Sequence, residues 1–389
     1  MSRFLKLFIF STFIIFCRCN LERIEPGSGN ETKFSTTVGG NANDFPRDIL
    51  ANSDGSFVVV GYSQSFTAGD NEAYIGKLDK NGNLVWENHF GGLSDDYANA
   101  VVSTTDGGFV FCGNTKNPVS QNDDLLVVKV NSQGVVVWNK TYGAPDSTET
   151  GFGVSAVGTG SILVGYSSSL FGSITAVRFM TLNANGSRIL DKLGILGPYY
   201  IRKMIKTSDS DIVIVGDDYS NATESYLAKF KNDGSFIWNK SFTGEVLNYA
   251  PGYGVAELQD KSLILAGSYL GSNDHDFLLV SYSAIGMEQW HKETGGANPD
   301  ELFGITGTKD GEIAVMGYTR SFSTTNEIYL SKRNKLDGSE IWVKHFNETW
   351  TIGADMELCP DGGFVICTGQ NQANADIIVI KTDANGNFQ

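Results

Sequence analysis

Basic residues are scarce in this 389-residue chain. Only 29 Lys and Arg stand against 44 Asp and Glu, a formal net charge of −15. Such a surface excludes nucleic acid as a partner and gives no electrostatic hold on anionic lipid. Proline is rare, at 8 residues against 45 glycines, so the chain is rich in turns without being low-complexity. No stretch sustains a 3.6-residue apolar period, which excludes a helical fold. Only four histidines occur, His89, His275, His291 and His345, and they share no ligand spacing. His275 alone reads as a loop residue between carboxylates, Asp274 and Asp276, and a solvated loop is the expectation there. There is no G-x-S-x-G, no H-E-x-x-H and no phosphate loop, so no catalytic residue, metal or cofactor is expected. The D-x-N-G at Asp79–Gly82 lacks the later carboxylates of a calcium loop and reads as a hairpin turn. Beyond Cys17 and Cys19 the cysteines are Cys112, Cys359 and Cys367, an odd number and a poor disulfide framework. Cys112 and Cys367 sit in the apolar runs FVFCG and FVICTG and read as small buried hydrophobes.

The one long apolar run is Leu7–Phe16, behind Arg3 and Lys6. It is too short to span a bilayer and reads as a signal peptide, over residues 1–19, so export is expected. The run stops at Cys17, a pattern that resembles the lipobox of bacterial lipoproteins. The resemblance implies acylation of Cys17 and a membrane attachment through that lipid alone. Phe16 stands where a small residue is usual. Residues 20–32, with Pro26-Gly27-Ser28-Gly29, read as a flexible tether.

From residue 33 the chain repeats. A glycine follows an apolar run at Gly61, Gly113, Gly165, Gly216, Gly267, Gly317 and Gly369, at steps of 52, 52, 51, 51, 50 and 52. Each unit carries four short Val/Ile/Phe/Tyr-rich strand signals, such as ANAVVST, GFVFCGN, DLLVVKV and VVVWNKTY. Asp-Gly and Asn-Gly pairs such as Asp106-Gly107 and Asn81-Gly82 separate them, the residues that hairpin turns demand. Four antiparallel strands at this period make a propeller blade, so the fold is all-β, a seven-bladed β-propeller over residues 33–389.

A second column, Trp86, Trp138, Trp238, Trp290 and Trp342, falls on the last strand of a blade, with Leu190 in its slot in the third. Blades bury their faces only against neighbours, so these rings read as inter-blade wedges. The last unit stops at Gln389, one residue short of its slot. Phe34–Gly40 aligns at an offset of 52 with Trp86–Gly92. The N-terminal strand is therefore expected to complete the seventh blade, with Phe34 in the tryptophan slot, which leaves no open blade edge.

At these residues the chain resembles known repeats. Asp79–Trp86, D-x-N-G-x-x-x-W, is similar to the tryptophan-docking repeat of quinoprotein-type propellers. The whole unit, with DGGF and an FGG ending, resembles propeller repeats of bacterial exported and surface lipoproteins. The resemblance covers Phe34 to Gln389 and implies architecture rather than activity. The chain departs from quinoprotein enzymes, which usually have eight blades and an adjacent cysteine pair. Neither the WD dipeptide nor the kelch glycine pair sits in register.

Tight turns fall on one face of such a ring and longer, more varied connections on the other. The long loops carry carboxylates, Asp96 and Asp300 among them, and aromatics off the columns: Tyr199, Tyr200, Tyr249, Tyr253 and Trp350. Variable loops on a rigid scaffold commonly carry binding. These residues are the candidate ligand site, and a protein or a glycan is the expected partner of a non-enzymatic scaffold. Two alternatives stay open: a glycan-acting or quinoprotein-like enzyme on the same face, and a structural envelope component.

Overall fold

The computed structural model describes residues 32–66, 70–158, 160–170, 175–220, 223–243, 250–271, 274–322, 326–346, 355–369 and 374–388. The leader with Cys17, and Tyr249 and Trp350, lie outside them.

Seven four-stranded antiparallel sheets follow one another along the chain. After β1 (Phe34–Val38) come β2 (Asp44–Ala51), β3 (Phe57–Ser63), β4 (Glu72–Leu78) and β5 (Leu84–Phe90), the first blade. The second holds β6 (Asp96–Ser103), β7 (Phe109–Lys116), β8 (Asp123–Val130) and β9 (Val136–Tyr142). The third holds β10 (Ser147–Val157), β11 (Ser161–Leu170), β12 (Thr175–Leu182) and β13 (Arg188–Gly197). The fourth holds β14 (Tyr199–Lys206), β15 (Ile212–Asp218), β16 (Glu224–Phe230) and β17 (Phe236–Phe242). The fifth holds β18 (Gly252–Glu257), β19 (Leu263–Leu270), β20 (His275–Tyr282) and β21 (Glu288–Thr294). The sixth holds β22 (Asp300–Gly307), β23 (Ile313–Thr319), β24 (Glu327–Arg333) and β25 (Glu340–Phe346). The seventh holds β26 (Met356–Leu358), β27 (Phe364–Gly369) and β28 (Ile377–Lys381). Its fourth strand is β1, with Phe34 opposite Lys381 and Val38 opposite Ile377. The ring closes as the Phe34 alignment requires. His275, read above as a loop residue, opens β20 instead.

The middle strands of each blade are apolar and buried on both faces, as in FVVVGYS and IVIVGDD. Their cores lie between blades. Val59 and Tyr74 of the first blade share a cluster with Val365 and Ile377 of the seventh, and Val58 and Ile75 share one with Phe111 and Val128 of the second. Each remaining seam repeats this arrangement.

The outer seams are set by the tryptophan slot. Trp86 Nε1 donates to the Ser132 carbonyl at 3.1 Å, Trp138 to Ala184 at 2.9 Å and Trp290 to Lys335 at 3.0 Å, each across to the next blade. The rings press on turn glycines there: Gly134 under Trp86, Gly186 under Trp138, Gly286 under Trp238, Gly338 under Trp290 and Gly386 under Trp342. Phe34 meets Gly82 in the same way. At these glycines φ runs from 68° to 83°, so the left-handed turn and the covering ring both exclude a side chain. The third blade differs from expectation. Leu190 is 44% exposed, and the ring over Gly234 is Phe179, from β12. A leucine in the slot is too short to cover the next turn, and a ring from the neighbouring strand covers it.

The glycine column has its own cause. In five blades the innermost strand carries a β-bulge opposite the column, between Pro46 and Asp48, Ala98 and Ala100, Ile201 and Lys203, Gly252 and Gly254, and Leu302 and Gly304. The bulge throws a carbonyl over the facing strand. A Cβ at Gly61, Gly113, Gly216, Gly267 or Gly317 would run into the carbonyl of Phe45, Tyr97, Tyr200, Pro251 or Glu301. Two column members are displaced by one residue. In the third blade the residue facing the start of the bulge is Tyr166, not Gly165, and its partner is Gly151. In the seventh the shift runs the other way, because one more residue separates turn Gly362 from Gly369 than separates Gly311 from Gly317. Thr368 takes the slot there.

Candidate functional site

A bulge re-aims the extra residue away from the ladder. Here the extra residues are Arg47, Asn99, Phe152, Arg202, Tyr253 and Phe303, one per blade, and all six line a single pocket of about 430 Å³ on the ring axis. The equivalent stretch of the seventh blade falls outside the described residues. Two residues before the bulge, near the strand starts and so toward the long connections, Tyr97, Thr150 and Tyr200 line the same pocket. Tyr200 is 55% exposed at this level.

Four of the bulged side chains are backed by a residue of the second strand. Arg47 lies 5.3 Å over the ring of Tyr62. Asn99 Nδ2 reaches Asn114 Oδ1 at 3.4 Å and the Gly151 carbonyl at 2.9 Å. Phe303 stacks 5.9 Å from Tyr318. Arg202 is held most firmly. Its Nη2 donates to Asp217 Oδ2 at 2.6 Å, and its guanidinium lies 4.9 Å over Tyr200 and 4.5 Å over Tyr253. Burial pulls against the guanidinium's charge, and Asp217 outweighs it. Among the described residues, no carboxylate comes within ion-pair distance of Arg47.

One residue past the bulge the ring narrows. Ala100, Gly153, Gly254 and Gly304 are small, and a Cβ on Gly254 would strike the Phe303 carbonyl. Two other blades place Asp48 and Lys203 at this level, and the seventh places Asp355, which accepts the Cys367 amide. Lys203 reaches across the axis. Its Nζ is 3.8 Å from Asp48 Oδ1 and ion-pairs with Asp355 Oδ2. Asp48 and Asp355 come within hydrogen-bonding reach of each other. Burial pushes the Asp48 carboxyl well above its ordinary range, Lys203 opposes this, and Asp355 adds to it. Burial works against the Lys203 ammonium too, but the two carboxyls outweigh it and hold its pKa above the ordinary range. Below the cluster Glu357 takes the Ala51 amide at 2.7 Å, and burial pushes its carboxyl up to about 7.

Of the residues picked from sequence, Tyr200 and Tyr253 line this pocket. Tyr199 stands beside it, stacked 4.2 Å from Tyr226 in a seam. Asp96 and Asp300 are elsewhere and buried. Asp96 accepts the Gly92 amide at 3.2 Å, and Asp300 accepts the Gly296 amide at 3.0 Å and the Ser321 hydroxyl at 2.8 Å. Asp44 does the same for Gly40 at 2.7 Å. The carboxylate that opens the inner strand fastens the glycine pair ending the previous blade. Burial pushes Asp96 up to about 6 even so. Asp79, the calcium-like position, accepts the Asn81 amide at 2.8 Å and the Asn83 amide at 2.9 Å within its own turn. Arg47, Asp48, Arg202 and Lys203 were not legible as site residues. Their signal is positional: in five blades the bulged residue stands 14 before the column glycine, and its type changes from blade to blade.

No protein-family model matches the chain, and no curated protein matches its sequence. Solved structures do resemble it. Sqt1 from Chaetomium thermophilum matches 92% of this chain and 86% of its own, with a TM-score of 0.53 at 11% identity. The Neurospora crassa Pan2 WD40 domain matches 92% of this chain and 98% of its own, with a TM-score of 0.51 at 11% identity. An α-L-arabinofuranosidase from Fusarium graminearum matches 72% of this chain and 92% of its own, with a TM-score of 0.47 at 15% identity. At such identities the likeness is one of fold, a β-propeller. It carries no activity across.

Proposed function

We propose that this chain is an exported, lipid-anchored, non-enzymatic propeller whose axial pocket binds a protein or glycan ligand from the face of the long connections. The observation that carries the reading is the convergence of six bulged side chains, no two in succession alike, on one pocket of about 430 Å³. That volume is in the range of ligand sites, and aromatic walls with a few fixed polar groups are their usual lining. The carboxyl pair on the axis supports binding over turnover. A glycan-hydrolase pair stands about 5–10 Å apart across its substrate. Asp48 and Asp355 are instead drawn together onto Lys203.

The test is a glycan-array and pull-down screen on residues 20–389. Tyr253→Ala is expected to weaken the ligand found by roughly 1–3 kcal/mol, as loss of a central ring does. Asn185→Ser, in a tight turn on the opposite face, should leave it unchanged. A ligand held equally by both variants would place binding elsewhere. For the anchor, Cys17→Ala should move the protein from membrane to soluble fractions and Cys19→Ala should not. An unacylated mature N-terminus in intact-mass analysis defeats that part.

A further inference from the structure

The pocket's lining is specific enough to name a ligand class, which rests on the binding reading above. We infer that the axial pocket takes an acidic sugar, a hexuronate residue of a glycan, with its carboxylate on Arg47 and its ring faces against the tyrosine and phenylalanine walls.

The charges narrow the choice first. Three cations line the pocket: Arg47, Arg202 and Lys203. Arg202 is already matched by Asp217, and Lys203 by Asp355 and Asp48. Arg47 is exposed and lies over the ring of Tyr62. An arginine presents a planar fork of donors suited to a carboxylate. Of the three pocket cations Arg47 alone has no carboxylate within ion-pair distance among the described residues. A neutral ligand would leave its donors to water, and a cationic one would be repelled.

The remaining lining points to a sugar. Tyr253 and Phe303 at the bulge level and Tyr97 and Tyr200 above them line the pocket with aromatic rings, Tyr200 and Tyr253 each with Arg202 over one face. Between them stand neutral groups that both donate and accept, Asn99, Asn114, Thr150 and Ser167. A pyranose is alternately apolar on its faces and hydroxylated on its rim, and this lining matches both parts. A peptide carboxy-terminus would also place a carboxylate on Arg47, and it needs an extended run of backbone partners. The inner strand of each blade is laddered on one side only, so such partners exist, and the hexapeptide probe below separates the two. The Asp48–Lys203–Asp355 cluster crosses the axis below, so the ligand enters from the long-connection face.

Titration calorimetry on the full chain tests this with three probes: a tetragalacturonate, a neutral galactotetraose, and a hexapeptide with a free carboxylate. The expected result is that the tetragalacturonate binds at least tenfold more tightly than either other probe. Arg47→Gln should remove that preference and Arg47→Lys restore part of it. Arg47 is exposed, so these variants keep the fold, which a thermal melt verifies. Galactotetraose binding as well as tetragalacturonate, with Arg47→Gln silent and Tyr253→Ala weakening both, overturns the acidic-sugar inference and leaves the binding reading standing. Peptide binding lost in Arg47→Gln overturns it in favour of a chain terminus. No probe bound, with no array or pull-down ligand sensitive to Tyr253→Ala, overturns both readings.

Discussion

At the outer seams, five blades place the same residue at one slot, a tryptophan whose ring meets the turn of the next blade. At the axis, the blades place at one slot Arg47, Asn99, Phe152, Arg202, Tyr253 and Phe303. Both slots recur once per repeat. The seam slot faces the same environment in every blade, because the next blade always presents a turn glycine there. The axial slot faces whatever occupies the centre, and its backbone is held by the bulge rather than by the side chain. A repeat that fixes the backbone at a position while leaving its side chain free can build a site without endangering the ring. Repetition marks the scaffold, and breakdown of repetition at a fixed backbone position marks the candidate site.

The largest effect should come from breaking the last seam. Deleting residues 31–40 removes β1, its ladder to β28 and the buried Val38, and uncovers Gly82 beneath Phe34. A lost aromatic anchor alone costs about 3–5 kcal/mol, and the open edge invites pairing between chains. Denaturant unfolding should show a loss above 5 kcal/mol, and light scattering should show association. A truncated protein that melts within a few degrees of the parent would break the picture of a closed ring.

The third blade sharpens the comparison. Phe179, 1% exposed, does for the turn at Gly234 what tryptophans do elsewhere. Trp138→Ala and Phe179→Ala should each cost roughly 3–5 kcal/mol. Leu190→Ala, at the slot the repeat assigns, should cost well under 1 kcal/mol because Leu190 is already 44% exposed. Equal losses at Leu190 and Phe179 would return the wedge to the repeat slot.

These cases also show what was legible. Blade number, blade boundaries and ring closure were readable because period and turn residues state them directly. The inter-blade rings were readable except at Leu190, where tertiary packing recruited a different strand. The lining of the candidate pocket was half readable. Tyr200 and Tyr253 stood out as rings off the columns. Arg47, Asp48, Arg202 and Lys203 did not, because charged residues on a strand look like its solvated face until a bulge turns them to the axis. A bulge is a fact of hydrogen-bond register between two strands, and composition does not announce it. Asp96 and Asp300 misled for the converse reason: a loop carboxylate looks solvated until its backbone partners, Gly92 and Gly296, are seen.

The Glu357 carboxyl near the axis should make stability respond to pH where the tryptophan slot does not. Glu357 titrates near 7 in the folded ring, above its ordinary 4.5. Between those values the folded state holds a proton that the unfolded chain has released. Stability contributed by this group is therefore largest below pH 4.5 and is lost as pH rises through 7. Glu357→Gln keeps an oxygen for the Ala51 amide and cannot ionise. It should stabilise the protein by on the order of 2 kcal/mol at pH 8 and much less at pH 5. Trp138→Ala should cost the same at both. A pH-independent effect of Glu357→Gln in urea titrations would mean the carboxyl is not strained by burial.

The smallest effect tests the face opposite the site. Its tight turns close with a left-handed residue, glycine in most blades, at φ of 82° for Gly55, 79° for Gly107 and 85° for Gly311. The fourth and fifth blades put Ser210 and Lys261 there, at 69° and 67°. The backbone hydrogen bond is unchanged: Ser210 donates to Thr207 and Lys261 to Leu258, each at 2.9 Å, as Gly107 donates to Thr104 at 2.9 Å. The turn geometry therefore comes from the repeat, and the two side chains are carried in a conformation that costs L-residues roughly 1–2 kcal/mol. Lys261→Gly relieves that strain but gives the unfolded chain more freedom, worth about 0.4–1 kcal/mol in the other direction. The net gain should be on the order of 0.5 kcal/mol, a rise of a degree or two in melting temperature for a chain this long. Ligand binding should not change, because the turn lies on the opposite face from the pocket mouth. A loss of stability in Lys261→Gly would mean that the lysine side chain makes a contact worth more than the strain, and that this face is less uniform than its turns suggest.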